Sequence, residues 1–220
     1  MTTLLPIGWA ALGALVGVLV RWGSVRLARI EELEAGFERW KVAGPPILCA
    51  LLFGALAASV GPHWALLLIR SLWVAVLVQV IFFDLEFRLI LDRVLLPAVV
   101  AALLLSFGFG HPSILQSLVA GVGAGLLFLA IYLLGALVMR QEAMGFGDVK
   151  LVAFMGTILG VTNRAVLSPI FSALFYGILL AGLISVILIV VRLKGIKDTI
   201  AYGPYLAAGA LIVMFELGPN

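Results

Sequence analysis

The sequence has few charged residues. Only 11% of the 220 residues are charged and 64% are hydrophobic, whereas a typical soluble domain carries about 25% charged residues. The composition therefore argues against a soluble protein and indicates a polytopic membrane protein. The formal net charge is only +3, and no basic patch with interleaved aromatic residues is present, so we expect no nucleic-acid partner.

Cysteine is almost absent. The single thiol, Cys49, lies inside an apolar run, which excludes an intrachain disulfide and a four-cysteine zinc site. We expect Cys49 to be a small buried apolar side chain. His63 and His111 lie in separate short turns without metal-ligand spacing, so the sequence predicts no metal site.

Long apolar runs, in contrast, are abundant. A membrane-spanning helix needs about 20 mostly apolar residues, and eight stretches are candidates, although the second and the sixth are short. The sequence therefore predicts an all-α fold with about eight transmembrane helices, forming a single domain over residues 1–220. The candidates are residues 5–21, 46–60, 64–83, 89–109, 114–139, 149–161, 165–191 and 202–217.

The basic residues are distributed unevenly between the predicted connections. Of the 14 Lys and Arg residues, all but Arg70 and Arg164 lie in or beside the first, third, fifth and seventh connections. The positive-inside rule places these connections in the cytoplasm. Both chain ends then lie outside. Arg70 is expected to extend its charged end to the outer interface.

The longest polar connection follows the first predicted span. Residues from Arg26 to Trp40 carry apolar side chains at helical spacing, with four glutamates on the other faces. This pattern predicts a short amphipathic helix lying on the cytoplasmic membrane surface. A solvated helical linker explains the pattern equally well.

Two aspartates occupy costly positions. Asp148 follows Gly145 and Gly147 at the point where an apolar run begins, and Asp84 follows an apolar run at the end of the third predicted helix. A carboxylate at a membrane boundary is a candidate functional group, and the topology places both on the same membrane face. Two carboxylates held close together share a proton, as in aspartic proteases.

Neighbouring residues have candidate roles too. Gly145 and Gly147 lack a Cβ atom, so a substrate strand has room to approach the backbone beside Asp148. Asp92 and Lys150 are candidates for positioning the site, although Lys150 is also expected to extend to lipid phosphate.

Other interpretations of the acids remain open on the residues alone. Asp84, Arg88 and Asp92 have the spacing of helical surface ion pairs, and Asp148 suits the dipole of a helix start. An ion-coupled carrier would use Asp84 and Asp148 as cation ligands. Such a carrier is expected to show internal repeats and broken helices, and neither is evident.

Three segments resemble one family. The run Gly-Phe-Gly-Asp-Val-Lys-Leu at 145–151 resembles the GxGD signature of the type IV prepilin peptidases, which are intramembrane aspartyl proteases. Residues 84–92, with Leu96 and Pro97 after them, are similar to the family's first-aspartate segment. Residues 202–210 are similar to its last-helix signature. The resemblance covers the chain from about Phe82 onwards.

The resemblance implies a function. Asp84 and Asp148 match the catalytic pair, and Gly145 and Gly147 match the motif glycines. The implied substrate is the N-terminal segment of a prepilin or pseudopilin, whose short basic leader ends in Gly. The implied place is the inner (plasma) membrane, with cleavage on the cytoplasmic side.

The sequence also departs from the family pattern. Many members carry two Cys-x-x-Cys pairs in the first cytoplasmic loop, read as a zinc site, and methylate the new N-terminus with S-adenosylmethionine. This chain has no cysteine in that loop. We therefore expect a peptidase without zinc or another cofactor. The alternative is a bifunctional peptidase and N-methyltransferase, which alone would require S-adenosylmethionine.

Overall fold

A computed structural model describes residues 4–109, 112–139, 145–161, 168–193 and 201–218. These residues form eight α-helices and no strand, which confirms the predicted all-α fold. The helices are α1 (Leu4–Ile30), α2 (Arg39–Val60), α3 (Trp64–Phe87), α4 (Asp92–Phe109), α5 (Ile114–Met139), α6 (Phe146–Leu159), α7 (Pro169–Val190) and α8 (Gly203–Glu216).

Six of these helices are long and apolar enough to cross a membrane: α1 to α5 and α7. The protein is therefore a multi-pass membrane protein. Helices α6 and α8 have 14 residues each, so each rises only about 21 Å, less than the roughly 30 Å of a hydrocarbon core. The second helix, predicted to be short, has 22 residues.

The chain forms two compact units. The first comprises Met1–Leu89 together with Met214–Asn220, and the second comprises Ile90–Val213. Helices α1 to α3 make up most of the first unit, whereas α4 to α7 and most of α8 belong to the second.

Close backbone contact joins α1 to α2 in the first unit. A Cβ atom added to Gly17 would lie 2.6 Å from the nitrogen of Pro46, and one added to Gly13 would lie 2.7 Å from the Cβ of Phe53. Helix α2 continues through Pro45 and Pro46, whereas the sequence predicted a helix beginning only at Pro46. Membrane helices tolerate such prolines where neighbouring helices pack against them, as α1 does here.

The predicted amphipathic helix from Arg26 to Trp40 is wrong. Residues 26–30 continue α1, residues 31–38 are not helical, and α2 already begins at Arg39. Glu32 has a left-handed backbone with φ of 57°, which costs free energy in a helix of L-residues. Side chains from α1 and α3 bind the backbone of Gly36 instead, so the segment follows these contacts and not its helical periodicity.

Helix α6 is the core of the second unit. Ten of its residues are buried, among them Phe154 and Met155, which are fully enclosed. Small residues bring it against α5, because a Cβ atom added to Gly156 would lie 2.7 Å from the carbonyl carbon of Ala120. Small-residue contacts of this kind are the usual way for helices to pack closely in lipid.

Several sequence predictions fall outside the described residues. These are the predicted start of the seventh helix at Ala165, the polar run 140–142, His111, and the basic residues Arg140, Arg164, Lys194 and Lys197.

Candidate active site

Asp84 lies in the last turn of α3. Asp84 is only 5% exposed to solvent, although α3 ends three residues later. Helix α3 stops because Arg88 adopts a left-handed conformation, with φ of 53°, and its N–H donates to the carbonyl of Asp84 at 2.8 Å. The continuous surface helix that would pair Arg88 with Asp92 therefore does not form, since the next helix begins at Asp92.

A second buried acid, Glu86, lies two residues after Asp84. Its side chain is only 3% exposed and accepts a hydrogen bond from Arg21 Nη1 at 2.9 Å. The other carboxylate oxygen, Oε1, accepts from the backbone N–H of Gly36 at 2.6 Å and lies 3.5 Å from Lys41 Nζ. Arg21 also donates to the Gly36 carbonyl. These groups, Arg21, Glu86, Lys41 and the Gly36 backbone, are called the Glu86 clamp below.

A second ion pair connects the Glu86 clamp to Glu38, at the end of the loop between α1 and α2. Lys41 forms an ion pair with Glu38 at 2.6 Å, and the hydrogen bond from the Lys41 ammonium holds the pKa of the Glu38 carboxyl below its usual value. Glu38 is exposed to solvent, so this outer pair contributes little to stability. The buried part of the clamp, at Glu86, is the part that fixes the loop.

Asp148 lies in the first turn of α6 and is 8% exposed. Gly145 caps this helix, and its carbonyl accepts the Asp148 N–H at 3.0 Å. An acid at this position is stabilised by the partial positive charge of the helix N-terminus. The helix thus begins within the motif, three residues earlier than the predicted start at Val149, and encloses Asp148 in its first turn.

The two motif glycines have different surroundings. Gly145 is exposed, and a Cβ atom added there would make an ordinary contact of 3.7 Å with Asp148 Oδ2. A Cβ atom added to Gly147 would lie 2.9 Å from the Cβ of Ile90. Gly147 therefore allows Ile90 to pack against the start of α6, whereas Gly145 is exposed and an added Cβ atom there would not be crowded.

Lys150 and Asp92, both predicted as positioning candidates, form an ion pair. Lys150 Nζ donates to the two carboxylate oxygens of Asp92 at 2.6 and 2.7 Å, and it lies 4.7 Å from the ring centre of Phe146. Lys150 therefore pairs with the start of α4, and lipid phosphate is not needed as its partner. The pair connects the beginnings of α4 and α6.

The predicted site residues divide between the two units. Asp84 belongs to the first unit, whereas Asp148, Asp92 and Lys150 belong to the second, where the structure brings Asp92 and Lys150 into contact.

Sequence reasoning missed the burial of Glu86. The sequence shows Glu86 two residues after Asp84, but it does not show that Glu86 pairs with Arg21, which is 65 residues away. Within the described ranges, no group of three or more His, Cys, Asp or Glu residues has an arrangement that would hold a metal ion.

Arg70 also has a partner in the first unit. Its Nη2 donates to the carbonyl of Gly218, beyond the end of α8, at 3.0 Å. A basic side chain at this position satisfies a carbonyl that no helical N–H reaches. Arg70 therefore anchors the residues that follow α8.

Comparison with known proteins places the candidate residues within one family match. A model of the type IV leader peptidase family matches residues 71–191, a range that contains Asp84, Glu86, Asp92 and Asp148. No solved structure gives a significant match.

Curated relatives agree with the family match. The chain is 30% identical over 169 residues to a protein of Aeromonas hydrophila named prepilin leader peptidase/N-methyltransferase, covering 76% of this chain and 56% of that protein. A protein of the same name from Pseudomonas putida is 32% identical over 170 residues, with 76% and 56% covered. The Bacillus subtilis protein of that name is 29% identical over 144 residues, with 64% and 52% covered.

The chain thus spans about half the length of the curated relatives that it matches. The family model nevertheless covers more than half of the chain, including both motif aspartates and the ion pair between α4 and α6. On this evidence the chain belongs to the type IV leader peptidase family.

Proposed function

We propose that the protein is an aspartyl endopeptidase of the inner membrane that removes the short basic leader of prepilin-like substrates. The observation that carries the proposal is that two motif aspartates within the family match, Asp84 and Asp148, are both buried at helix ends. Polytopic membrane proteins rarely bury carboxylates without a function. The names of the relatives support prepilins as the class of substrate.

The proposed chemistry requires one proton shared between Asp84 and Asp148. The ionised carboxylate takes a proton from a water molecule as the water oxygen attacks the peptide carbonyl carbon. The protonated carboxyl donates to the carbonyl oxygen. Collapse of the tetrahedral intermediate breaks the C–N bond: the carboxyl that took the water proton gives it to the leaving amine, and the other carboxylate recovers a proton from a hydroxyl of the intermediate, which leaves as the carboxylic acid product. Water is the only co-reactant, so the proposed cleavage needs no cofactor.

We propose that cleavage takes place on the cytoplasmic side. Basic residues gather at and beside the helix ends that flank the connections after α1 and α3, namely Arg26, Arg29, Arg39, Lys41, Arg88 and Arg93, and such residues favour the cytoplasmic face. Asp84 lies beside one of these connections, at the end of α3. A cytoplasmic site also suits a substrate whose basic leader is retained in the cytoplasm by the same rule.

The test is cleavage of a prepilin by the full chain reconstituted in lipid vesicles. Asp84→Asn and Asp148→Asn are each expected to lower the cleavage rate by about 100-fold to 10,000-fold, the range for loss of a general acid or base. Glu34→Gln, at an exposed loop residue, is the matched control and should cleave at the wild-type rate. Wild-type cleavage by both correctly inserted aspartate variants would refute the proposal.

A second activity is suggested by the relatives' names, which include N-methyltransferase. If the chain carries it, the purified protein should transfer a labelled methyl group from S-adenosylmethionine to the amino terminus of a mature pilin peptide. Asp84→Asn should leave that transfer unchanged, because methylation does not use the proposed carboxylate pair. Absence of transfer would restrict the chain to the peptidase activity.

A further inference from the structure

Polar contacts hold one side of the last turns of α3 against α1 and the loop that follows α1. Gln79 Nε2 donates to Ser24 Oγ at 2.9 Å, and both residues are buried. Seven residues further along α3, Glu86 accepts from Arg21 at 2.9 Å. A separation of seven residues returns to nearly the same side of a helix, so Gln79 and Glu86 form one polar seam facing α1.

An aromatic contact holds the same side of α3 against α2. The ring of Phe82 stacks with Trp40, with 6.4 Å between centroids, and it fills the space beside Gly44, where an added Cβ atom would lie 2.6 Å from the Phe82 Cζ atom. Phe82 and Glu86 are four residues apart, so they lie on one face. Asp84 is two residues from each and is therefore rotated by about 200° from Glu86.

We infer that Glu86 is a positioning residue for Asp84. The Glu86 clamp fixes the rotation of the last turn of α3 about its axis, and Asp84 is thereby presented on the face opposite to α1 and the loop. The inference rests on the proposed function, because it assigns Glu86 a role in the same cleavage reaction. Glu86 itself binds Arg21, Lys41 and the Gly36 backbone, and we assign it no chemical step.

A carboxylate is required at this position because two donors approach different oxygens. Arg21 Nη1 donates to Oε2, and the Gly36 N–H donates to Oε1. A glutamine offers only one acceptor oxygen, and its other terminal group is an N–H₂ donor. It can therefore accept from either Arg21 or Gly36, while its N–H₂ group lies against the remaining N–H donor. Glu86→Gln therefore weakens the clamp while preserving the shape of the side chain.

The kinetic test compares Glu86→Ala, Glu86→Gln and the exposed control Glu34→Gln with wild type in reconstituted vesicles. Because displacing a catalytic group by about 1 Å costs about 100-fold in rate, Glu86→Ala should lower kcat by up to about 100-fold and Glu86→Gln by a smaller factor. KM should stay unchanged, since Glu86 does not touch the substrate. Wild-type kcat for both Glu86 variants, or an effect confined to KM, would overturn the inference.

A second measurement does not depend on cleavage. Carbodiimide labelling of Asp84 and Asp148, read by mass spectrometry, reports how accessible each buried carboxyl becomes. The Glu86 variants should raise labelling of Asp84 and leave that of Asp148 unchanged. Increased labelling at both aspartates would show a general loosening of the protein. No increase at either aspartate would show that the end of α3 is unchanged. Each of these results contradicts a positioning role for Glu86.

The two arms separate the possible failures. If wild type cleaves no prepilin, the proposed function fails, while the labelling arm still decides whether Glu86 orients Asp84. If wild type cleaves and Asp84→Asn does not, the proposed function holds. Wild-type behaviour of the Glu86 variants then overturns the positioning role alone.

Discussion

Replacing Gly156 by alanine tests how closely α6 must pack against α5. The added Cβ atom would meet the carbonyl oxygen of Ala120, and it would lie 2.7 Å from the Ala120 carbonyl carbon and 2.8 Å from Gly121 Cα. These are backbone atoms, which cannot rotate away as a side chain does. Extending the 2.7 Å contact to an ordinary 3.4 Å requires the two helices to separate by at least about 0.7 Å, because the carbonyl oxygen of Ala120 lies closer still.

The expected loss of stability follows from this separation of the helices. A gap of about 0.5–1 Å forfeits roughly a quarter to a half of the dispersion attraction between the facing atoms, and overpacking in a close-packed interior costs about 1–3 kcal/mol. Alanine also favours a helix over glycine by up to about 1 kcal/mol. Gly123→Ala isolates this second effect, because a Cβ atom at Gly123 in α5 has no atom within 4 Å.

We therefore expect Gly156→Ala to be less stable than Gly123→Ala by about 1–3 kcal/mol. Thermal unfolding in detergent, followed by circular dichroism, measures the difference. Prepilin cleavage should fall in Gly156→Ala only, by up to about 100-fold, because α6 carries Asp148 at its start and a shift approaching 1 Å is costly. Equal stability of the two variants would refute the reasoning that Gly156 is selected by backbone contact.

Two further predictions concern the start of α6. Gly147→Ala should destabilise the protein more than Gly145→Ala, because only the former meets Ile90. Ile90→Ala should restore little of the loss, because alanine keeps the Cβ atom that the new methyl group would meet at 2.9 Å; thermal unfolding of the single and double variants checks this. The ion pair between Lys150 and Asp92, whose side chains are 28% and 50% exposed, should contribute at most about 1 kcal/mol in a double-mutant cycle and less at high salt. A coupling of several kcal/mol would contradict the surface character of this pair.

The helical fold and the six long helices follow directly from the length and composition of the apolar runs. Six runs are long enough to span a bilayer, and backbone polar groups inside lipid must be satisfied within the segment, so no other secondary structure suits them. The start of α2 was mispredicted because Gly44-Pro45-Pro46 has the composition of a turn. The helix continues there because Gly17 of α1 packs against both prolines, a contact that local sequence does not contain.

The loop between α1 and α2 was mispredicted for a related reason. Its apolar spacing fits a helix, and isolated periodicity carries no information about partners distant in the chain. The backbone of Gly36 binds Glu86, 50 residues away, through its N–H. A buried carboxylate next to a guanidinium requires further donors, and the loop backbone supplies one. The same reasoning explains why Asp92 and Lys150, 58 residues apart, were predicted as separate candidates and not as a pair.

The two aspartates were identifiable from sequence because each lies where an apolar run meets a polar connection, a boundary visible in composition. The groups that hold them differ in kind. Near Asp84, buried polar groups orient α3, through Glu86 and Gln79. Near Asp148, contacts between small residues position α6, through Gly147 and Gly156. Substitutions that preserve volume but change charge should therefore affect the end of α3 most, whereas substitutions that add one methyl group should affect α6 most. This contrast follows from packing and hydrogen bonding alone.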